Sequence, residues 1–201
     1  MSKVIRKTGL GATRVHAGAP ADQPPVRFAA GGRGEQIRYA AARSRFGWMI
    51  VGATARGLCW LSLAGTKAEA EDSLRAEFPL ATLKRDASLA SWVASVLAMI
   101  AGQMNLTGKA VEPQVDLRGT AFQLRVWRAL RKIPRGQRRS YSQLARELGA
   151  PTATRAVARA CAMNRVALLV PCHRVVGANG ALTGYRWGVE RKRMLLEAES
   201  E

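Results

Sequence analysis

Cysteine and histidine are scarce in this 201-residue sequence, and their spacing is not that of a metal site. Three cysteines and two histidines occur, at Cys59, Cys161, Cys172, His16 and His173. No pair has the separation typical of zinc ligands, and an odd number of cysteines without an export signal is not typical of a disulfide framework. We therefore expect no metal and no cofactor, so that any chemistry depends on thiol, imidazole or carboxylate groups.

Long apolar runs are also absent. The best candidate for a membrane span, Leu89–Ala101, is shorter than the roughly 18–20 residues that a membrane helix needs. Residues 1–20 lack the apolar core of a secretory signal. With 48% hydrophobic and 23% charged residues, the chain has enough apolar side chains for a packed core. These features predict a cytoplasmic protein of one or two small domains.

Acidic residues are few, and the positive charge that remains is concentrated in the C-terminal half. The chain has 32 Lys and Arg against 14 Asp and Glu, a net charge of +18. Residues 113–201 hold 17 basic and six acidic residues, whereas residues 1–36 and 37–112 carry only +4 and +3. This uneven field favours a nucleic acid as partner. A solubilising surface or a general acidic partner is the alternative.

The sequence pattern of the N-terminal part predicts a tail followed by a small α/β domain. Residues 1–36 are rich in Gly, Ala, Pro and Arg without an apolar period, which predicts a mobile basic tail. Three short apolar or alternating runs in residues 37–63 predict a three-stranded antiparallel sheet. Two helices, Thr66–Phe78 and Ala87–Ile100, and a linker complete a domain of residues 37–112.

Residues 113–201 read as a mostly helical domain. A helix is predicted over Thr120–Ile133, and Ser140 is a suitable N-cap for a second helix. Thr152 is predicted to cap a third helix that ends at Met163. Two short helices joined by a brief turn form a helix-turn-helix pattern. On the last helix Arg155 and Arg159 are expected to point outward, and the residues expected to face the core are Ala156, Val157, Ala160 and Cys161.

The reactive candidate is Cys172, which lies between Pro171 and the basic pair His173–Arg174. A thiol attacks as thiolate, and adjacent basic groups in a positive field favour that form. The alternative is that Cys172 is an inert core residue, and this is the reading we give to Cys59 and Cys161.

The motif PCHRVV at residues 171–176, together with GYRWGVERK at residues 184–192, resembles the family of methylated-DNA–protein-cysteine methyltransferases, the O6-alkylguanine-DNA alkyltransferases. The similarity is greatest to the C-terminal repair half of bacterial adaptive-response proteins and extends from about Ile37 to Glu199. It includes RGTAFQLRVW, IPRGQ, SYSQLA and ATRAVARACAMN. One departure is Arg165, where many members have proline.

The resemblance implies a fold and an activity. The fold would be α+β, with a small ribonuclease-H-like domain and its three-stranded antiparallel sheet, then a mostly helical domain with a winged-helix-like helix-turn-helix. The activity would be a single irreversible transfer of the alkyl group from O6-methylguanine, or O4-methylthymine, to Cys172. The protein would act as a monomer without cofactor on double-stranded DNA of the bacterial nucleoid, which it would bind through the minor groove without strong sequence preference.

The resemblance also assigns roles to individual residues. Cys172 would accept the alkyl group, His173 would act as general base through a water, and Glu199 would orient the imidazole. Asn164 would brace the turn before the cysteine. Arg155 would take the place of the flipped base in the stack. The further residues that would contact DNA or form walls of the alkyl pocket are Tyr141, Ser140 and Arg174 for DNA, and Val175 and Tyr185 for the pocket.

Two other functions are compatible with parts of the pattern. A non-catalytic protein could bind and flip alkylated bases, but such proteins replace the acceptor cysteine, and Cys172 is present here. A transcription regulator could use the helix-turn-helix, but a sequence-reading helix would carry more Asn, Gln or Arg than the alanine-rich segment after Thr152.

Overall fold

The structure, a computed structural model, describes residues 27–101 and 113–200. These residues form an α+β fold with a four-stranded mixed sheet, a two-stranded pair and six α-helices. The first part contains β1 (Gln36–Ser44), β2 (Gly47–Thr54), β3 (Gly57–Ala64), α1 (Lys67–Glu77), β4 (Thr82–Arg85) and α2 (Ala90–Ile100). The second part contains α3 (Ala121–Arg131), β5 (Arg139–Ser140), α4 (Tyr141–Glu147), α5 (Thr154–Ala162), β6 (Val175–Val176) and α6 (Val189–Ser200).

The main sheet has one strand more than predicted. Its order is β3-β2-β1-β4, with antiparallel pairs between β1 and β2 and between β2 and β3. The short strand β4 pairs in parallel with β1, so the prediction of a purely antiparallel three-stranded sheet was wrong. The segment Thr-Leu-Lys-Arg has no apolar run, and three of its four residues are exposed. An edge strand of this kind is held mainly by backbone hydrogen bonds, which leave little trace in the side-chain pattern.

The free edge of β3 joins the two parts of the chain. The amide of Leu58 donates to the carbonyl of Gln114 at 2.8 Å, and the amide of Leu61 donates to the carbonyl of Arg165 at 2.9 Å. At the start of the strand Gly57 has φ of +141°, and a Cβ there would lie 2.6 Å from the Gln114 carbonyl oxygen. Glycine is therefore required for this close approach. Arg165 is therefore hydrogen-bonded directly to the sheet.

Most helices begin where the sequence predicts. Thr66 and Thr120 each form a capping box at the start of α1 and α3, and Ser140 does the same for α4. The helix predicted from Ala87 starts instead as a 3-10 turn, Ala87–Leu89, which leads into α2. The predicted cap of α5 was wrong. The residue at its N-cap position is Ala153, which makes no side-chain capping bond.

A core shared by both parts holds the sheet, α2, α3, α5 and α6 together. Trp127 of α3 is buried in it and donates its indole N–H to the carbonyl of Ala160 at 2.9 Å. Cys59 and Cys161 are both buried, which confirms their prediction as core residues. Ala156 was expected in this core but is exposed on the outer face of α5.

Part of the segment predicted as a tail lies within the described residues. Residues 1–26 lie outside the described residues, as does the predicted linker at 102–112. Within residues 27–36, Phe28 and Glu35 contact the rest of the fold. The ring of Phe28 lies 5.2 Å from that of Phe78 and beneath the guanidinium of Arg118 at 4.2 Å. Arg118 also donates to the carboxylate of Glu35 at 2.5 Å and to Asp116 at 2.7 Å.

Within residues 27–101 and 113–200, none of the helices has the length and apolarity to cross a membrane.

Candidate active site

Cys172 begins a 3-10 turn, Cys172–Arg174, which leads directly into β6. Its side chain is buried, with 4% of the residue exposed. The chain reaches this turn through Leu168, which has φ of +68° and is the one described non-glycine residue with positive φ. Such a conformation costs free energy and persists where the surrounding contacts impose it. The apolar run in the sequence gives no sign of this conformation.

Asn164, which follows α5, is fully buried, and its side chain bonds to several residues of the segment that leads to Cys172. Its amide nitrogen donates to the carbonyl of Val170 at 2.8 Å and to the sulfur of Cys172 at 3.3 Å. Its amide oxygen accepts from the backbone N–H of Val166 at 2.9 Å. The side chain therefore fixes the turn and also places a donor on the sulfur, where it stabilises negative charge.

His173 and Glu199 form a buried pair 26 residues apart in sequence. Nε2 of His173 lies 3.0 Å from Oε1 of Glu199. Burial acts to raise the pKa of Glu199, but hydrogen bonds from His173 and Arg174 outweigh it and lower that pKa to about 2. An ionised carboxylate only accepts, so Nε2 carries the proton in this pair. The other nitrogen, Nδ1, is buried and has no hydrogen-bond partner among the described residues.

Burial also keeps the imidazole neutral. It lowers the pKa of His173 below its ordinary value, and the nearby charge of Arg174 lowers this pKa further, although the contact with Glu199 acts in the opposite direction. A neutral ring with its proton on Nε2 has a lone pair on Nδ1. This atom can accept a proton at neutral pH.

Arg174, which was predicted to contact DNA, is bound in the structure to Glu199, the partner of His173. Its Nε and Nη2 donate to the two carboxylate oxygens of Glu199 at 2.9 and 2.7 Å, and its Nη1 donates to the carbonyl of Ile133 at 2.6 Å. This two-pronged contact holds the carboxylate in one orientation. Arg174 is therefore a positioning residue for Glu199.

The thiol of Cys172 is protonated at rest. Burial raises its pKa to about 11, and the hydrogen bond from Asn164 and the charge of Lys192 only partly oppose this. The neighbouring basic pair was expected to favour the thiolate, but burial has the larger effect on the pKa of Cys172. A base has to remove the proton.

Lys192 is a site residue that sequence reasoning missed. It is completely buried, and its ammonium donates to the carbonyl of Thr183 at 2.9 Å and lies 5.9 Å from the ring centre of Tyr141. Lysine is seldom fully buried, and burial lowers its pKa. The helix α6 shows no clear apolar face in sequence that would have marked position 192 as internal.

The residues predicted to form walls of the alkyl pocket, Val175 and Tyr185, lie near the turn that carries Cys172 and His173. Val175 is fully buried at the start of β6, and the ring of Tyr185 lies 6.4 Å from that of His173. The hydroxyl of Tyr185 is buried without a hydrogen-bond partner among the described residues. Tyr141, at the start of α4, is half-buried.

The two other predicted DNA contacts lie in different settings. Ser140 is buried, and its hydroxyl caps α4 by accepting from the backbone N–H of Gln143 at 3.0 Å. Arg155 is exposed on α5, and it makes no side-chain hydrogen bond or ion pair within the described residues. The structure therefore brings Asn164 and Glu199 to the adjacent pair Cys172–His173. It leaves Arg155 on the surface.

A cavity of about 550 Å³ lies behind this cluster. His173 and Glu199 line it together with apolar residues such as Phe46 and Leu195, but Cys172 does not. It is therefore not the space in which an alkyl group would meet the thiol.

The chain is similar to known proteins in sequence and in structure. Residues 121–201 match the family described as 6-O-methylguanine DNA methyltransferase, DNA binding domain. The chain is 43% identical over 176 residues to the bifunctional transcriptional activator/DNA repair enzyme Ada of Escherichia coli, a match covering 87% of this chain and 49% of that protein. It is 49% identical over 117 residues to the methylated-DNA–protein-cysteine methyltransferase of Mycobacterium leprae, covering 58% of this chain and 68% of that protein.

The fold agrees with these relatives. The crystal structure of Mycobacterium tuberculosis OGT in complex with DNA matches with a TM-score of 0.66 and 36% identity, over 82% of this chain and 92% of that one. A buried thiol, imidazole and carboxylate on this α+β fold are the groups of a cysteine-nucleophile site. The chain belongs to the methylated-DNA–protein-cysteine methyltransferase family. It spans about half the length of the Ada proteins that it matches.

Proposed function

We propose that the protein repairs DNA by transferring the methyl group of O6-methylguanine, and of O4-methylthymine, to its own Cys172. The observation that carries this proposal is the buried relay. Glu199 lies 3.0 Å from Nε2 of His173, and Nδ1 of the same ring has no described partner. The acceptor sulfur is held by Asn164 at 3.3 Å. These are the parts that an activated nucleophile needs.

The transfer begins with removal of the thiol proton and ends with protonation of the released guanine. Nδ1 of His173 takes the proton of the Cys172 thiol through a water, and the thiolate attacks the methyl carbon. A sulfur–carbon bond forms as the carbon–oxygen bond to guanine O6 breaks, and the departing guanine takes up a proton. The product is S-methyl-Cys172, a thioether that has no good leaving group. Each protein molecule therefore acts once.

The target base has to leave the duplex, because its O6 substituent is shielded within the stack. We assign α4 and α5 to a winged-helix-like helix-turn-helix that enters the minor groove as a monomer, and the main sheet to a ribonuclease-H-like unit. Arg155 would fill the gap left by the flipped base. Support comes from its exposure on α5 beside the small side chain of Ala156, which permits close approach. The protein would act on nucleoid DNA in the cytoplasm.

Intact-protein mass spectrometry after incubation with an O6-methylguanine duplex tests the proposal. The expected result is a mass gain of one methyl group, mapped to Cys172 after digestion, with repair ending at one base per protein. Cys172→Ala should bind DNA without gaining mass. Cys59→Ala, which removes a buried thiol on strand β3, should still react. Tight binding of the wild type at unchanged mass would instead indicate a non-catalytic binder of alkylated bases.

A further inference from the structure

A second cavity, of about 470 Å³, lies where the start of α3 meets the outer face of α5 and the segment before β1. Both parts of the chain contribute to it. Its lining includes Arg27, Phe28, Thr120, Ala156, Arg159 and Arg165. None of these side chains belongs to the relay around Cys172.

The cavity has positive charge that the protein does not balance. Two of its arginines, Arg118 and Arg165, are held by carboxylates, at 2.5 Å from Glu35 and 2.5 Å from Glu77 respectively. The guanidinium of Arg159 makes no hydrogen bond or ion pair with any residue that the structure describes, and the same is true of Arg27. Two cations therefore remain for an external anion at one concave site.

Arg159 also follows Arg155 by one turn of α5. Four residues of α-helix advance by about 6 Å, and both side chains are exposed. The small Ala156 between them is exposed as well. A DNA strand that passes Arg155 would thus come within reach of Arg159 at the mouth of the cavity.

We propose that this cavity is a phosphate subsite, in which Arg159, with Arg27 in the same lining, binds a phosphodiester of the strand that passes Arg155. The subsite rests on the DNA binding of the proposed function. A guanidinium presents paired donors to phosphate oxygens, and a concave setting with unbalanced charge strengthens the contact. The contact is with the backbone only, so it adds affinity and orientation without sequence preference.

The salt dependence of binding tests this subsite. The affinity of the full chain for an unmodified duplex is measured against salt concentration for the wild type, Arg159→Ala, Arg159→Lys and Arg43→Ala. Losing one phosphate contact should make the slope of log affinity against log salt shallower by about 0.9 in Arg159→Ala. Arg159→Lys keeps the charge and should keep the slope. Arg43 is an exposed arginine of β1 outside both cavities, so Arg43→Ala should behave as the wild type.

The outcomes separate the subsite from the repair function. A wild-type slope in Arg159→Ala overturns the subsite, and so does an equal loss in Arg43→Ala, which would indicate only the general field of the protein. Methyl transfer to Cys172 is followed separately by mass. If no methyl transfer is seen and only Arg159→Ala changes the slope, the phosphate subsite is supported and the repair function is rejected. If transfer succeeds and all slopes agree, the repair function holds and the subsite falls.

Discussion

The Glu199 carboxylate lies 3.0 Å from Nε2 of His173, and this contact decides which imidazole nitrogen is left to act as a base. Because the carboxylate is ionised, it accepts the Nε2 proton and leaves the lone pair on Nδ1. Arg174 donates to both oxygens of the same carboxylate and prevents it from turning away. The base is thus prepared by residues that need not touch the substrate.

Removing the base should slow transfer without weakening DNA binding. In His173→Ala the thiol of Cys172 keeps a pKa raised by burial, to about 11 in the intact site. Few molecules then hold the thiolate at neutral pH, and we expect the single-turnover rate to fall by about 10²–10⁴. Quenched-flow measurement at saturating DNA gives this rate. An unchanged rate would remove His173 from the mechanism.

The charge of Arg174 should set the pH at which transfer fails. Protonation of His173 abolishes the base, so the rate falls as the pH drops through the pKa of this ring. Arg174 lowers that pKa, so Arg174→Gln should raise it and move the acid limb of the rate profile to higher pH. Arg174→Lys keeps the charge and should leave the limb nearer its original position. A merely structural role would lower the rate of Arg174→Gln without moving the limb.

Acid should destabilise the fold through Glu199. Its pKa is lowered from 4.5 to about 2 in the folded protein, so it contributes stability above about pH 4.5 that is lost as the pH falls towards 2. The difference amounts to about 3 kcal/mol. Urea unfolding at pH 7 and pH 3 should show about 2 kcal/mol of this loss in the wild type, because pH 3 is still above the folded-state pKa, and a smaller loss in Glu199→Gln. The exposed neighbour Glu197 provides the control, since Glu197→Gln should lose as much as the wild type.

Arg155 should matter more on duplex DNA than on single strands. Extruding a base from a duplex costs a few kcal/mol, and the cost is least for a base that is already unpaired. Arg155→Ala should therefore react much more slowly with a duplex and be less impaired on a single-stranded oligonucleotide. Equal slowing on both substrates in single-turnover assays would make Arg155 a simple phosphate contact.

Features set by neighbours in the chain could be predicted from the sequence. The caps at Thr66, Thr120 and Ser140 depend on residues three positions away, and the strands β1 to β3 show their apolar pattern directly. The adjacent pair Cys172–His173 was also evident, because a thiol beside one of only two histidines is conspicuous in composition alone. Local chemistry and short-range periodicity are sufficient for such predictions.

The tertiary structure decided which groups are paired, charged or buried. Arg174 reaches the carboxylate of Glu199, 25 residues further along the chain, and Lys192 is enclosed although its helix shows no apolar face. Strand β4 joins the sheet by backbone hydrogen bonds, and its polar side chains give no sequence signal of this pairing. Each of these outcomes depends on atoms far apart in the chain, whose burial and mutual distance fix the electrostatic free energy of every ionisable group. The sequence by itself determined the α+β fold class and marked Cys172 as the candidate nucleophile, and packing determined which groups surround its thiol.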